Sequence, residues 1–110
     1  MDSNITLDFA LAKAKLLIKA VENEKIKVSA AYLFGSCVNG SFDQELSDID
    51  VALISENFSG FRFDDNMKII PIVTRIDPRI ETHPFRLEDF NNSPFAKEEI
   101  VAKGIKIELN

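Results

Sequence analysis

The stretch that decides the fold reads Leu-Phe-Gly-Ser over residues 33–36 and resumes after eleven residues as Asp-Ile-Asp-Val-Ala-Leu-Ile over residues 48–54. The second half predicts a β-strand, in which side chains alternate between the two faces of a sheet. Asp48 and Asp50 therefore point the same way, while the residues between and after them point into a core. Two adjacent carboxylates repel each other, and a shared divalent cation removes that repulsion. Because a Gly-Ser turn can approach an anion, the whole pattern indicates a site for a metal ion and a nucleoside triphosphate.

Length, charge and cysteine content restrict the class of protein. The chain has 110 residues and a net charge of −5, with one cysteine. We expect a single domain over residues 1–110, for which forming a homodimer is one way to bury more apolar surface. The acidic balance argues against direct binding of nucleic acid, and the lone Cys37 excludes an internal disulfide. No apolar run suits a membrane span and no basic, apolar leader precedes the first helix, so we expect a cytoplasmic protein without a membrane partner.

Hydrophobic periodicity predicts the element order α-β-β-α-β-α, followed by a short strand. We expect helices over about residues 4–24, 59–73 and 95–103, and strands over about 28–34, 48–55, 79–85 and 105–109. A solvated loop over residues 43–45 separates the first two strands, which we expect to pair. Pro78 and Pro84 bracket the third strand, which suits the edge of a sheet. The fold class is α/β (α+β), with a small mixed β-sheet covered by helices.

Two helices carry apolar residues that we expect to face the core. In the first helix the predicted stripe consists of Ile5, Phe9, Ala12, Leu16 and Ala20, with Val21 as a further candidate. In the second long helix it consists of Phe63, Met67 and Ile70, with Ile69 as a further candidate, and we expect Pro71 to kink or end that helix. Phe58, Phe61 and Phe63 would also fit a strand. Before the last helix, Ser93 and Pro94 have the residue types of an N-cap and a first helical position.

The motif over residues 32–55 resembles the nucleotidyltransferase superfamily that includes DNA polymerase β. The signature of that superfamily is a hydrophobic strand, Gly-Ser, a loop of about this length and Asp-hydrophobic-Asp. The run Ser-Asp-Ile-Asp-Val-Ala-Leu-Ile-Ser is especially similar to the minimal nucleotidyltransferases, small prokaryotic domains often paired with a helical HEPN protein as toxin and antitoxin. The later segments Arg-Ile-Glu…Pro-Phe and Glu-Glu-Ile…Gly-Ile extend the resemblance over most of the chain. The resemblance implies the polymerase β-like nucleotidyltransferase fold.

The same resemblance implies roles for individual residues. Gly35 and Ser36 would hold the phosphates of ATP or another nucleoside triphosphate, and Asp48 and Asp50 would ligate Mg²⁺ in a two-metal site. A third carboxylate on a neighbouring strand would complete the metal shell and act on the acceptor hydroxyl. Glu81 fits that position, because Arg-Ile-Glu over residues 79–81 suits a strand. Asp77 is the rival, although a residue before a proline more often belongs to a turn.

Three features near the motif bear on how strong such a site would be. Many relatives carry a basic residue in the turn after Gly-Ser, but residues 37–40, Cys-Val-Asn-Gly, hold no positive charge. Cys37 is expected to pack as a small apolar residue rather than act as a nucleophile. His83 lies two residues beyond Glu81, where both a substrate contact and an exposed surface histidine are consistent with the sequence.

The function implied first is that of an enzyme. It would transfer a nucleoside monophosphate, AMP from ATP, to a hydroxyl of a protein or small molecule and release pyrophosphate. The alternative is an antitoxin that binds and neutralises a HEPN-family partner with little or no catalysis. A third interpretation is a nucleotide-binding regulatory subunit of a larger transferase. Polymerisation is not expected, because the chain has no basic groove for a template.

Overall fold

The computed structural model describes residues 5–39 and 48–109, with side chains described for 7–38 and 48–109. A π-helical turn over Ile5–Phe9 leads into the first helix, and a π-helical segment over Ala96–Val101 precedes the last strand. The predicted loop over residues 43–45 lies outside the described residues. No helix in the two described ranges has the length and apolarity needed to cross a membrane. The elements are α1 (Ala10–Asn23), β1 (Ala30–Phe34), α2 (Ser36–Asn39), β2 (Ile49–Ile54), α3 (Arg62–Ile76), β3 (Ile80–Phe85), α4 (Leu87–Asn91) and β4 (Ile105–Lys106).

The four strands form one mixed sheet in the order β3-β2-β1-β4. β1 pairs antiparallel with both β2 and β4, whereas β2 pairs parallel with β3. These pairings confirm the predicted mixed sheet, the predicted partnership of β1 and β2, and the edge position of the strand that contains Pro84. Because β3 runs parallel to β2, a crossover is needed between them, and α3 provides it.

The sheet is covered on both faces. On one face the alternate residues Ile49, Val51 and Leu53 of β2 pack in a cluster with buried residues of α1 and α3. On the other face Ala52 and Ile54 pack in a second cluster with Phe90 of α4 and with the segment around Ala96–Val101. That alternation places the side chain of Asp50 on the second face, one step beyond the apolar cover.

The buried face of α1 differs from the predicted stripe. Its buried residues are Ala10, Ala14, Leu17, Ile18 and Val21, while Leu16 is 54% exposed. Both sets have helical spacing, and the helix is rich enough in alanine and leucine to present either face. The face with closely spaced Leu17 and Ile18 offers the wider apolar surface, and that face packs on the sheet.

The three apolar residues predicted to form the core face of α3 are exposed to solvent. Phe63, Met67 and Ile70 are 75%, 55% and 46% exposed, and the buried residues of the helix are Asp65, Ile69, Ile72 and Val73. Pro71 lies inside the helix, which continues to Ile76. Because Pro71 and Met67 are both exposed, water can bind the carbonyl that the proline leaves without a helical donor.

Asp77 belongs to the framework that holds β3 in place. Its carboxylate accepts hydrogen bonds from the Arg79 guanidinium at 2.9 and 3.1 Å and lies 3.8 Å from Lys13 Nζ of α1. The hydrogen bonds from Arg79 hold the pKa of Asp77 below its ordinary value. Lys13 and Arg79 both lie over the ring of Phe9, so these two cations also contact an aromatic side chain. Asp77 thus joins α1 to the start of β3, since it lies three residues before Ile80, the first residue of the strand that carries Glu81.

We predict that Asp77→Asn lowers the free energy of unfolding by about 2 kcal/mol at pH 7, the cost of weakening hydrogen bonds to a charged partner. Since the folded pKa of Asp77 is depressed, its contribution is present above the unfolded pKa of about 3.9 and is lost as the pH falls through the folded value. The difference between wild type and variant should therefore shrink at pH 3. Urea denaturation at both pH values measures it, with Asp8→Asn as an exposed control. A difference of equal size at both pH values would contradict the assignment.

Candidate functional site

The parallel register between β2 and β3 brings the predicted carboxylates together. Asp50 lies opposite Glu81 in this register, and Ala52 lies opposite His83. Asp48 is exposed just before β2 begins, on the side of the strand that Asp50 also faces. Three carboxylates from two neighbouring strands therefore converge at the end of the sheet where β2 starts.

Two neighbours restrict the position of the Asp50 carboxylate. Its Oδ1 lies 3.1 Å from Nε2 of His83. Its Oδ2 lies against Gly35, where a Cβ atom built on the glycine would stand 2.4 Å from that oxygen. Gly35 has a φ of +81°, a conformation in which residues with a Cβ are strained. The glycine of the motif thus permits both the turn after β1 and the close approach of Asp50.

His83 is a mostly buried residue whose side chain contacts both α3 and β2. Its ring is packed edge-on against Phe34, with centroids 4.8 Å apart, and its side chain is 12% exposed. Its Nδ1 lies 3.2 Å from a terminal nitrogen of Arg62, the first residue of α3. The expectation of an exposed surface histidine is therefore wrong.

Arg62 owes its position to the way α3 begins. The fully buried Asp65 accepts hydrogen bonds from the backbone N–H groups of Ser59 and Gly60 at 2.8 and 3.1 Å, and from the Ser59 hydroxyl at 2.9 Å. These bonds satisfy donors of the incoming loop and hold it against the first turn of the helix. Arg62 consequently starts the helix beside β3, and it brings a positive charge to a site whose turn lacks one.

The surroundings of Glu81 raise the pKa of its carboxyl group. Desolvation of its carboxyl group raises the pKa of Glu81, and a hydrogen bond to Asp48 raises it further, while a positive charge on His83 would oppose them. The charges of Asp50 and Asp48 add to the upward shift in this pKa. A cluster of this kind is destabilised by its own repulsion and is stabilised by a cation.

The donor set suits a divalent metal ion. One ligand atom from each of Asp50, Glu81 and His83 lies within 4.8 Å of the others, and Asp48 is joined to this group through its hydrogen bond with Glu81. Carboxylate oxygens are the ligands that Mg²⁺ prefers, and a bound cation would favour the charged form of Glu81 against the desolvation and the neighbouring carboxylates that raise its pKa. The residues present therefore fit the metal that this type of site requires.

The turn after β1 passes directly into a short helix. Gly35 is followed directly by the short helix α2, which begins at Ser36. Cys37 is buried, with its Sγ 3.4 Å from the carbonyl oxygen of Phe34, and burial raises the pKa of its thiol. A neutral, buried thiol is a poor nucleophile, so the prediction that Cys37 packs as a small apolar residue is confirmed.

Comparison with known proteins identifies the family of the chain. The family described as "Polymerase beta, Nucleotidyltransferase" matches residues 15–108, so the chain belongs to that family. Among solved structures, a crystal structure named "putative nucleotidyltransferase" from Sulfolobus solfataricus has a similar fold, with a TM-score of 0.55. It is 18% identical in sequence, over 92% of this chain and 78% of that one. No curated protein matches the chain.

The structure also shows what the sequence prediction missed. Of the predicted residues, it brings Asp48, Asp50, Glu81 and Gly35 together, with Ser36 at the adjoining turn, whereas Asp77 faces Arg79 and Lys13. Arg62 had no signal in the sequence, because it lies 21 residues from His83 and begins an ordinary amphipathic helix. The signal for His83 was its spacing of two from Glu81, which puts both on one face of a strand.

We predict that Gly35→Ala abolishes the binding of Mn²⁺, a paramagnetic probe for Mg²⁺, whereas Gly60→Ala leaves it intact. Both glycines have a positive φ, so both variants should lose roughly 1–2 kcal/mol of stability. Only at Gly35 does the added Cβ displace Asp50, because a Cβ at Gly60 meets nothing closer than 3.5 Å. Electron paramagnetic resonance of free Mn²⁺ measures the difference, and equal Mn²⁺ affinities in the two variants would contradict it.

We also predict that Glu81→Gln stabilises the metal-free protein at pH 7. Because the folded pKa of Glu81 is raised, its charged form costs stability above that pKa, and the cost disappears below the unfolded value of about 4.3. The gain in the free energy of unfolding should therefore fade as the pH falls from 7 to 4.

Urea denaturation in the presence of a chelator measures this gain, with Glu88→Gln, a change at an exposed glutamate of α4, as the control. Adding Mg²⁺ should stabilise wild type more than Glu81→Gln, because a cation bound only by the folded state stabilises it. A Glu81→Gln protein less stable than wild type at pH 7 without metal would overturn the interpretation.

Proposed function

We propose that this nucleotidyltransferase transfers a nucleoside monophosphate, AMP from ATP, to a hydroxyl group of a protein or small molecule. The acceptor oxygen forms a bond to the α-phosphorus, the bond from that phosphorus to the bridging oxygen breaks, and pyrophosphate leaves. The acceptor proton passes to a carboxylate, for which we assign Glu81. The observation that carries the proposal is the register that sets Asp50 opposite Glu81, with Asp48 hydrogen-bonded to Glu81.

Each residue of the site has a separate task in this proposal. Asp48 and Asp50 hold Mg²⁺, and Glu81 completes the shell and orients the acceptor hydroxyl. Gly35 keeps the turn after β1 free of side-chain atoms, so that the phosphates and Asp50 can approach the same backbone. Ser36 offers a hydroxyl to the phosphates at that turn. When bound, two Mg²⁺ ions would polarise the phosphate oxygens and offset the charge of the pyrophosphate.

The net charge of the protein favours a protein or a small molecule as the acceptor over a nucleic acid. With a charge of −5, the chain repels the phosphate backbone of a nucleic acid, whereas a protein or small-molecule hydroxyl carries no such penalty. Arg62 is linked to Asp50 by way of His83, and it reaches the site from α3.

A second candidate function is supported by the exposed face of α3. Phe63, Met67 and Ile70 form a stripe at helical spacing, and each is about half exposed or more. An apolar stripe of this kind suits a protein partner. In this alternative the chain is an antitoxin that binds and neutralises a HEPN-family toxin, with little or no catalysis.

Labelled ATP and Mg²⁺, incubated with the protein and a candidate acceptor, test the first proposal. We expect label on the acceptor with wild type, and a loss of at least a hundredfold with Asp48→Asn or Asp50→Asn. Glu81→Gln should retain much of its affinity for Mg²⁺-ATP while transfer collapses. Transfer by Glu81→Gln at the wild-type rate would show that the assignment of Glu81 is wrong.

The same incubation separates the two candidate functions. Glu98→Gln, which lies on the π-helical segment, serves as the control for removal of one carboxylate elsewhere. The antitoxin would be favoured over the enzyme by a tight complex that carries no label. That complex should survive Asp48→Asn and Asp50→Asn and should be lost in Met67→Ser. Label that depends on Asp48 and Asp50 would favour the enzyme, whether or not a complex persists.

A further inference from the structure

His83 and Arg62 form a hydrogen-bonded chain that ends on Asp50. A guanidinium group has N–H donors and no acceptor, so the contact between Arg62 and Nδ1 of His83 requires that Nδ1 accept the hydrogen bond. The proton of a neutral imidazole must then reside on Nε2. From there it is donated to Oδ1 of Asp50 across 3.1 Å.

This tautomer limits what His83 can do. Nε2 is the ring nitrogen that faces Asp50, and it would be the atom to coordinate a metal shared with Asp50 and Glu81. Coordination would require the proton to move to Nδ1, where it would meet the N–H groups of Arg62. Two donors would then face each other, so Arg62 disfavours metal coordination through His83.

The orientation of Asp50 follows from the same chain. His83 holds Oδ1, and the space that Gly35 leaves admits Oδ2. Packing of the His83 ring on Phe34 keeps its Nε2 aimed at Asp50. A carboxylate whose Oδ1 is hydrogen-bonded to a packed imidazole needs less reorganisation when a metal arrives, and groups behind a metal ligand commonly raise affinity in this way.

We propose that His83 is a positioning residue, fixed in one tautomer by Arg62, that orients Asp50 for metal binding without itself ligating the metal. The proposal rests on the metal site of the proposed function, and it adds residues from α3 and β3 to that site. It also gives Arg62 a role that does not require contact with substrate.

Metal binding by paired variants tests the proposal. The amide nitrogen of a glutamine reaches about as far as Nε2 of histidine, whereas that of an asparagine reaches only as far as Nδ1. We expect His83→Gln to keep Mn²⁺ affinity within about threefold of wild type and His83→Asn to lower it about tenfold or more. Equal Mn²⁺ affinities in these two variants would overturn the proposal. Thermal unfolding checks that both fold.

Arg62 provides a second test that does not depend on the folding of the His83 variants. Arg62→Leu removes a positive charge that repels Mn²⁺, which by itself would raise Mn²⁺ affinity. We expect the loss of Asp50 orientation to outweigh this gain, so that Arg62→Leu binds Mn²⁺ several-fold more weakly than Arg75→Leu, a change at the exposed far end of α3. Because the chain has one histidine, nitrogen-15 spectra of the imidazole report its tautomer without ambiguity. We expect the Nε2–H tautomer in wild type and a mixture of tautomers in Arg62→Leu. An Nδ1–H tautomer in wild type would overturn the proposal.

Two further measurements separate this proposal from the one it rests on. Electron spin echo spectra of bound Mn²⁺ should lack the coupling of a directly ligated imidazole nitrogen, and its presence would show that His83 is a ligand. Asp50→Asn should abolish Mn²⁺ binding. If Asp50→Asn binds Mn²⁺ as wild type does, the metal site of the proposed function fails. If only the His83 and Arg62 variants bind as wild type does, the positioning role fails alone.

Discussion

The parallel pairing of β2 with β3 is the constraint on which the site depends. It sets Asp50 beside Glu81 and places His83 one step further along the same face. A slip of one residue would turn Glu81 and His83 to the opposite face and replace them with Ile80 and Thr82. The buried alternate residues of β2 make such a slip costly, because they fit clusters on both faces of the sheet. The packing of the core therefore fixes the geometry of the carboxylates.

Other parts of the structure maintain that arrangement against its own repulsion. Asp77, with Arg79 and Lys13, holds the start of β3 against α1. Asp65 sets the beginning of α3 and, with it, the position of Arg62. Gly35 removes the one Cβ that would collide with Asp50. Desolvation and the neighbouring carboxylates nevertheless raise the pKa of Glu81, and a perturbed carboxyl group of this kind is common at functional sites.

Much of this could be predicted from the sequence, because the informative signals are local. The alternation of strand residues puts Asp48 and Asp50 on one face, and the residue types Gly-Ser indicate the turn at Gly35. The resemblance to nucleotidyltransferases, together with the fit of residues 79–81 to a strand, pointed to Glu81. The cap at Ser93 was also predictable, and its hydroxyl accepts a hydrogen bond from the N–H of Ala96 at 3.1 Å. The membership of the polymerase β nucleotidyltransferase family and the mixed sheet agree with those predictions.

The errors arose where tertiary packing decides between equivalent patterns. α1 and α3 each have two faces with helical spacing, and periodicity does not say which of them meets the sheet. The contact between Arg62 and His83 depends on where α3 lies above β3, which no local pattern encodes. The turn after Gly35 carries no basic residue, which is visible in the sequence. The positive charge that α3 brings to the site at Arg62 is visible only in three dimensions.

The most direct test of the central claim is anomalous diffraction from crystals grown with Mn²⁺ and an ATP analogue that cannot be cleaved between its α- and β-phosphates. The account predicts Mn²⁺ bound by the carboxylates of Asp48, Asp50 and Glu81, in contact with the phosphates of the analogue. Nucleotide bound elsewhere, or Mn²⁺ absent from these three carboxylates at saturating concentration, would contradict it.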